Sequence, residues 1–235
     1  MMLTNNLRGF NLVFISLPFF IIIINPAIII YYFAQKLYSY IGVSWILPLI
    51  FYFSLLSYAT LFMIESYIIL KIIFNPKNKE GTFNIHKTTP EILYYSISEI
   101  LMKINEKIFS MLLIPQAVYG NIIFKVFGKH CGKKSLINPI YDPYLTSIGD
   151  ECIIGFGVII LGHEISGQRI ILKEVKIGNR VTIGANSIIS PGVIIEDDVI
   201  VGAKSYVKKN SILKKGGFYV GCPAELKERK PYLKL

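Results

Sequence analysis

Beyond residue 134 hydrophobic positions recur at a fixed interval. Ile177, Ile183, Ile189, Ile195, Val201, Val207 and Leu213 place an aliphatic side chain every six residues. Glycine follows three of them, at Gly178, Gly184 and Gly202, and small or aliphatic residues stand four positions later, at Val181, Ser187, Val193, Val199 and Ser205. Six residues turn an α-helix by about 600°, so this interval would scatter apolar positions around a helix. A coil with three flat faces has this period. Each hexapeptide supplies a short strand and a corner, with the aliphatic residue inward and glycine tolerating a strained corner. Three hexapeptides complete one turn, and turns stack at the strand spacing of about 4.8 Å.

The same signal appears upstream, in Ile148 with Gly149, Ile154 with Gly155, and Ile160. Counting on by six from Ile160 reaches Ser166, whereas counting back from Ile177 reaches Ile171 and then Ile165. The two registers differ by one residue. Within "GHEISGQRIILKEVKIG" the chain must therefore leave the coil or slip, and His163 lies there.

The first third has a different pattern. Gly9 to Ala34 contains no charge, and its roughly 26 residues exceed the ~20 needed to cross a bilayer as helix. It runs on into "AQKLYSY" with no small-residue cleavage site, unlike a secretory signal. A second run, Tyr40 to Phe74, is uncharged until Glu65, with Tyr38, Tyr40 and Trp45 at the end where an aromatic belt would lie. The short connection Gln35 to Ser39 makes the pair a transmembrane hairpin, with Lys71 emerging at its end and Glu65 either emerging with it or standing as an intramembrane acid. Lys36 alone marks the turn, while Arg8, Lys71, Lys77, Lys79 and Lys87 flank the other side, so both termini are expected in the cytoplasm. Lys77 to Thr89 reads as a polar linker. Thr89, Pro90 and Glu91 are a helix start. Ile92, Leu93, Ile97, Ile100, Leu101, Ile104, Ile108, Met111 and Leu112 then follow helical spacing, as a helix packed in its own domain or lying in the bilayer interface. Asn121 to Lys134 reads as a transition. The expected organisation is a transmembrane hairpin over 1–75, linker and amphipathic helix over 76–134, β-coil over 135–215 and a closing segment over 216–235.

Composition agrees with a membrane part followed by a soluble one: mean hydropathy is +0.52 and 53% of the residues are hydrophobic. The net charge of +10 gathers toward the membrane side, where anionic lipid attracts it. Without aromatic interleaving or a recognised module it does not indicate nucleic-acid binding. Cys131, Cys152 and Cys222 form neither a disulfide framework nor a zinc pattern, in keeping with a reducing compartment. "GFGVIILG" lacks the dinucleotide-binding spacing.

"IGNRVTIGANSIISPGVIIEDDVIVGAKSYVKKNSI" and "GCPAEL" together resemble the hexapeptide-repeat acyltransferases over Ile148 to Leu226. The break and "YDPYLTSIGD" resemble more closely a membrane-anchored variant, the hexapeptide modules of poly-amino-acid synthetases. The resemblance implies a mainly β fold, a left-handed parallel β-helix, that assembles as a homotrimer. It also implies acyl transfer from acetyl-CoA or another acyl-CoA to a hydroxyl or amine, with no metal cofactor. The histidine matching the family's general base is His163. A neutral imidazole titrates near neutrality, which suits it to deprotonate the acceptor. Corners that match the family's CoA-binding positions are Gly184, Ala185, Gly202 and Ala203, and Lys208 matches a position near the nucleotide phosphates.

An imidazole base needs an acid to orient it. Glu164 is adjacent but points to the opposite side of an extended chain. Asp142 stands six before Ile148, where the repeat expects an apolar residue, and about one coil before the break, so stacking brings it toward the loop. Arg169 is placed to hold a substrate carboxylate or phosphate, or only a loop carbonyl. The expected protein is an integral cytoplasmic-membrane acyltransferase with two transmembrane helices and a lipid-linked or membrane-proximal acceptor. Two alternatives stand beside it: a non-catalytic, membrane-tethered β-helix scaffold, and a zinc carbonic anhydrase, for which His86 and His130 precede the repeat and leave only His163.

Overall fold

The structure is a computed structural model that describes residues 47–73, 80–112, 114–137 and 141–228, with isolated helical positions between 28 and 39. The chain divides into two compact units.

The first unit holds α1 (Leu47–Ile68), which continues as a π-helical turn over Ile69–Ile73, and α2 (Pro90–Met111). Among the described residues one helix, Leu49–Ile72, is long and apolar enough to cross a membrane. It falls within the second apolar run. The first run, Gly9 to Ala34, lies almost entirely outside the described residues, so one candidate span stands where two were expected. α2 begins as its sequence indicates: the Thr89 hydroxyl accepts from the Ile92 N–H at 3.4 Å, with Pro90 in the first turn. Its buried face includes Tyr94, Ile97, Leu101, Met102 and Phe109, but Ile100 and Met111 of the expected stripe are exposed. Asn105 is buried in that stripe instead. Its amide donates to Leu101 O at 2.8 Å and to Ser66 Oγ on α1 at 3.2 Å, which compensates part of the cost of burying it.

The second unit holds α3 (Gln116–Phe127) and every described strand. Its body is a three-sided parallel β-helix. One face stacks β2 (His130–Cys131), β3 (Thr146–Ile148), β8 (Val175–Ile177), β11 (Ile194–Ile195) and β14 (Ile212–Leu213). A second stacks β4 (Ile153–Ile154), β9 (Thr182–Ile183), β12 (Ile200–Val201) and β15 (Phe218–Gly221), to which β16 (Ala224–Lys227) adds antiparallel. The third stacks β5 (Ile159–Ile160), β10 (Ile188–Ile189) and β13 (Tyr206–Val207).

All seven repeat aliphatics point inward. Ile183 and Ile189 are fully buried, and the others are at most 4% exposed. Phe124 of α3 and Tyr219 of β15 join this core. α3 lies partly within the stretch expected as a transition. Its sequence is apolar almost all round, which hides a helical period.

The corners work differently from the expectation. Left-handed φ falls two residues after the glycines, at Arg180 (φ 54°), Asn186 (φ 58°) and Lys204 (φ 55°). The glycines are needed for close approach: a Cβ at Gly184 would stand 2.4 Å from Ala203 N, and one at Gly178 2.9 Å from Asp197 N. Stacking of coils, rather than backbone strain, selects glycine there.

Candidate active site

The register locates the excursion. Ile189 pairs with Val207 after one regular turn of the repeat, whereas Ile160 pairs with Ile189 only after a much longer turn. The extra chain is the stretch from His163 to Lys173. It forms an antiparallel hairpin of β6 (His163–Ser166) and β7 (Arg169–Leu172), turned at Gly167 with φ +58°. The free edge of β7 pairs with β1 (Gly81–Asn84), from the segment expected to be linker.

His163 opens β6 at the corner where the chain leaves the third face. The preceding peptide is held at both ends: Gly162 N–H donates to Asp142 Oδ2 at 2.8 Å, and Gly162 O accepts from Lys173 N–H at 2.7 Å. A side chain at Gly162 would put its Cβ 2.5 Å from Leu145 Cβ and 3.2 Å from Asp142 Cβ. The glycine is what lets the hairpin base settle on Asp142.

Asp142 is fully buried, in left-handed conformation (φ 49°) before the 3₁₀ turn Pro143–Leu145. Its carbonyl accepts from Leu145 N–H at 3.0 Å and from the Thr146 hydroxyl at 3.1 Å, which fixes the backbone. Its Oδ2 meets His163 Nδ1 at 2.5 Å. With Oδ2 as acceptor toward the ring, as it is toward the Gly162 N–H, Nδ1 is the donor and the lone pair falls on Nε2. The aspartate predicted from its polar intrusion into an aliphatic position is thus brought to the predicted histidine.

The imidazole lines a cleft of about 690 Å³ on the side of the β-helix. Ser190, Tyr206, Lys208 and Lys209 from the next two coils share its wall with Ile165 of the hairpin and Ile188. Glu164 turns to Lys209, whose Nζ donates to both carboxylate oxygens at 2.9 and 3.1 Å. It plays no part in holding the imidazole, as expected.

The other predicted residues separate. Arg169 is exposed at the turn end of the hairpin, opposite Ser166 and Asn84. Gly184, Ala185, Gly202 and Ala203 occupy the corner between second and third faces, at the other edge of the third face from His163. There Gly184 and Gly202 donate to Val201 O and Tyr219 O in the ladder, and Ala185 O accepts from Lys204 N–H. Of the positions expected to bind CoA, Lys208 alone lies on the cleft wall with His163.

Sequence reasoning missed Gly162, Ser190, Tyr206 and Glu174. Gly162 carried a signal, since a glycine directly before a candidate base at a register break is a request for space. Glu174 is buried where the chain returns to the coil and accepts from Lys129 Nζ at 2.7 Å and Ser147 Oγ at 2.6 Å. Burial pushes its carboxyl up, but the hydrogen bonds and the charges of Lys129 and Lys176 outweigh it and hold the group below the usual 4.5.

Residues 174–209 match a family model described as bacterial transferase hexapeptide (six repeats). Delta-poly-L-ornithine synthetase of Acinetobacter baumannii (strain AB307-0294) is 27% identical over 159 residues, 67% of this chain and 12% of the synthetase. Galactoside O-acetyltransferase of Escherichia coli (strain K12) is 33% identical over 91 residues, 34% of this chain and 45% of that enzyme. The chain thus spans less than half the length of each of these curated relatives. Among solved structures, a maltose O-acetyltransferase from Clostridium difficile 630 superposes with a TM-score of 0.50 at 19% identity, covering 64% of this chain and 92% of its own, a likeness of fold. Residues 174–209 are thus similar to the hexapeptide repeat of bacterial transferases, and the fold is like that of the solved maltose O-acetyltransferase.

Proposed function

We propose that the protein is a membrane-anchored, CoA-dependent acyltransferase that moves an acetyl or related acyl group to a hydroxyl or amine of a lipid-linked or membrane-proximal acceptor. The observation that carries this reading is the buried Asp142 holding His163 by Nδ1 at the mouth of a cleft, where a hairpin lengthens one turn of the hexapeptide coil. In the reaction, His163 Nε2 takes the proton from the acceptor O–H or N–H as that atom attacks the thioester carbonyl carbon. The carbon–sulfur bond breaks, and the departing CoA sulfur receives the proton from the imidazolium. Asp142 keeps the ring in the tautomer with the basic nitrogen outward and stabilises its charged form.

The acyl-CoA lies along the cleft, with Lys208 toward its phosphates. The assembly is a homotrimer of left-handed β-helices, in which the corner of Gly184, Ala185, Gly202 and Ala203 on one copy faces the His163 corner of the next. Arg169, at the hairpin tip, takes an anionic part of the acceptor. The candidate span Leu49–Ile72 and the apolar run before it anchor the chain, with the β-helix in the cytoplasm, which raises the effective concentration of a membrane acceptor. Names of relatives support the chemistry: one is a galactoside O-acetyltransferase.

The test is thiol release from acetyl-CoA by the full chain in membranes, followed by mass spectrometry of lipid extracts with and without the protein. The expected result is release of CoA and a lipid species heavier by one acetyl unit. No CoA binding by calorimetry, together with unchanged lipids, would favour the scaffold reading.

A further inference from the structure

The hairpin that carries His163 leaves the β-helix ladder, so its strand partners are its own two strands and β1. A two-stranded hairpin is marginal in water, and a third strand is what gives such a sheet independent stability. Here that strand comes from far upstream of His163, in the segment of chain joining α1 to α2. We propose that β1 is a positioning element for His163, holding the hairpin so that the imidazole stays on Asp142; this rests on the acyltransferase reading only for its effect on turnover.

The register ties the parts together. β1 pairs with β7 along its whole length, Gly81 opposite Leu172, Thr82 opposite Ile171, Phe83 opposite Ile170 and Asn84 opposite Arg169. Leu172 in turn stands opposite His163. The Ile85 N–H donates to Gln168 O at 2.9 Å, and antiparallel ladders alternate, so Phe83 and Gly81 occupy the bonded positions toward β7 and Thr82 faces away. The same alternation agrees with Lys173 N–H donating to Gly162 O across β6 and β7, which leaves His163 and Leu172 as a close, non-bonded pair. Side chains directly opposite one another share a face, so Gly81, Leu172 and His163 are on one side of the sheet with Phe83 and Ile170. On β7 that side is packed, with Leu172 1% exposed and Ile170 3%, while Ile165 of β6 on the same side opens to the cleft. The Phe83 ring lies over Gly81, where an added Cβ would come within 2.8 Å of it. β1 therefore backs the residue that faces the imidazole.

The experiment compares Phe83→Pro, which removes the ladder N–H, with Thr82→Pro, which removes one that points away from β7. Full-length protein labelled with ¹⁵N-histidine in lipid bilayers is examined by solid-state NMR, and hydrogen exchange of the β6–β7 amides is followed by mass spectrometry. Wild type and Thr82→Pro are expected to show the Nδ1–H tautomer that Asp142 imposes. In Phe83→Pro that signal mixes with the Nε2–H tautomer favoured by free imidazoles, and the hairpin amides exchange on the order of tenfold faster. Acetyl-CoA turnover falls through kcat more than through KM for acetyl-CoA. A Gly-Ser-Gly-Ser replacement of residues 81–84 provides a second variant that keeps the chain length, with the same expected direction. None of the β1 residues belongs to the β-helix core, so thermal unfolding of the coils is expected to stay in place in both. Nδ1–H signal and amide exchange like wild type in Phe83→Pro and in the replacement would overturn the proposal. A wild type that binds no CoA would instead sink the acyltransferase reading, while the tautomer comparison, which needs no turnover, would still decide the role of β1.

Discussion

The regular coils and the excursion between them obey different rules. From Ile177 to Leu213 each inward position meets its counterpart one regular turn further on, such as Ile177 with Ile195 and Ile195 with Leu213. What a residue does there depends on its phase in the repeat. Across the excursion, by contrast, every important contact breaks that rhythm: Asp142 to His163, Glu174 to Lys129, β1 to β7. The coils bury aliphatic side chains, whereas the residues that meet the foot of the excursion, Asp142 and Glu174, are buried carboxylates that accept hydrogen bonds. Repetition supplies the scaffold, and the departure from it assembles groups that repetition cannot place.

This contrast can be broken at both ends. The largest effect is expected from His163→Ala, which should lower acetyl-CoA turnover by about 10²–10⁴-fold in a protein that still folds, as cooperative thermal unfolding checks. Undiminished turnover in a folded variant would contradict the assigned base. Next comes a coil position: Ile195 is 1% exposed, and Ile195→Ala should cost about 2–5 kcal/mol in unfolding free energy, with kcat per folded molecule unaltered. Loss of kcat without loss of stability would blur the division between scaffold and site.

A smaller effect is expected at the foot of the excursion. The Glu174 carboxyl is held below its ordinary value in the folded state, so its stabilisation is present above the unfolded value near 4.5 and is lost as pH falls through the lower folded one. Glu174→Gln should therefore destabilise by about 1–3 kcal/mol at neutral pH, and the difference from wild type should shrink in acid. Melting curves between neutral pH and pH ~3 check this; a gap independent of pH would remove the ion pair from the account. The smallest effect belongs to Lys209→Ala. The pair with Glu164 is partly exposed on both sides, so stability should change by about 0–1 kcal/mol, with a salt-sensitive change in KM for acetyl-CoA if Lys209 borders the bound ligand.

How much of this was legible in the sequence follows from the same contrast. The coils were, because the aliphatic positions from Ile177 to Leu213 carry a period that a helix cannot use. Asp142 was legible for the converse reason, since it stands polar in an aliphatic phase. β1 was not: Gly81 to Asn84 is too short for a period, and its partner lies far along the chain, at Arg169 to Leu172. α3 was hidden because apolar residues surround it on most sides, and Asn105 because its partner, Ser66, is on another helix. Resemblance alone points Gly184 and Gly202 toward CoA, yet the stacking of coils accounts for their lack of a side chain.

The central claim is that the imidazole held by Asp142 is the group that meets the thioester. A structure of the full chain with acetyl-CoA bound tests it most directly. The account predicts the thioester carbonyl beside His163 Nε2 in the cleft bordered by Ser190 and Lys208, with the Nδ1 contact to Asp142 retained. A thioester seated at another corner of the β-helix, with His163 facing neither it nor the acceptor, would contradict it.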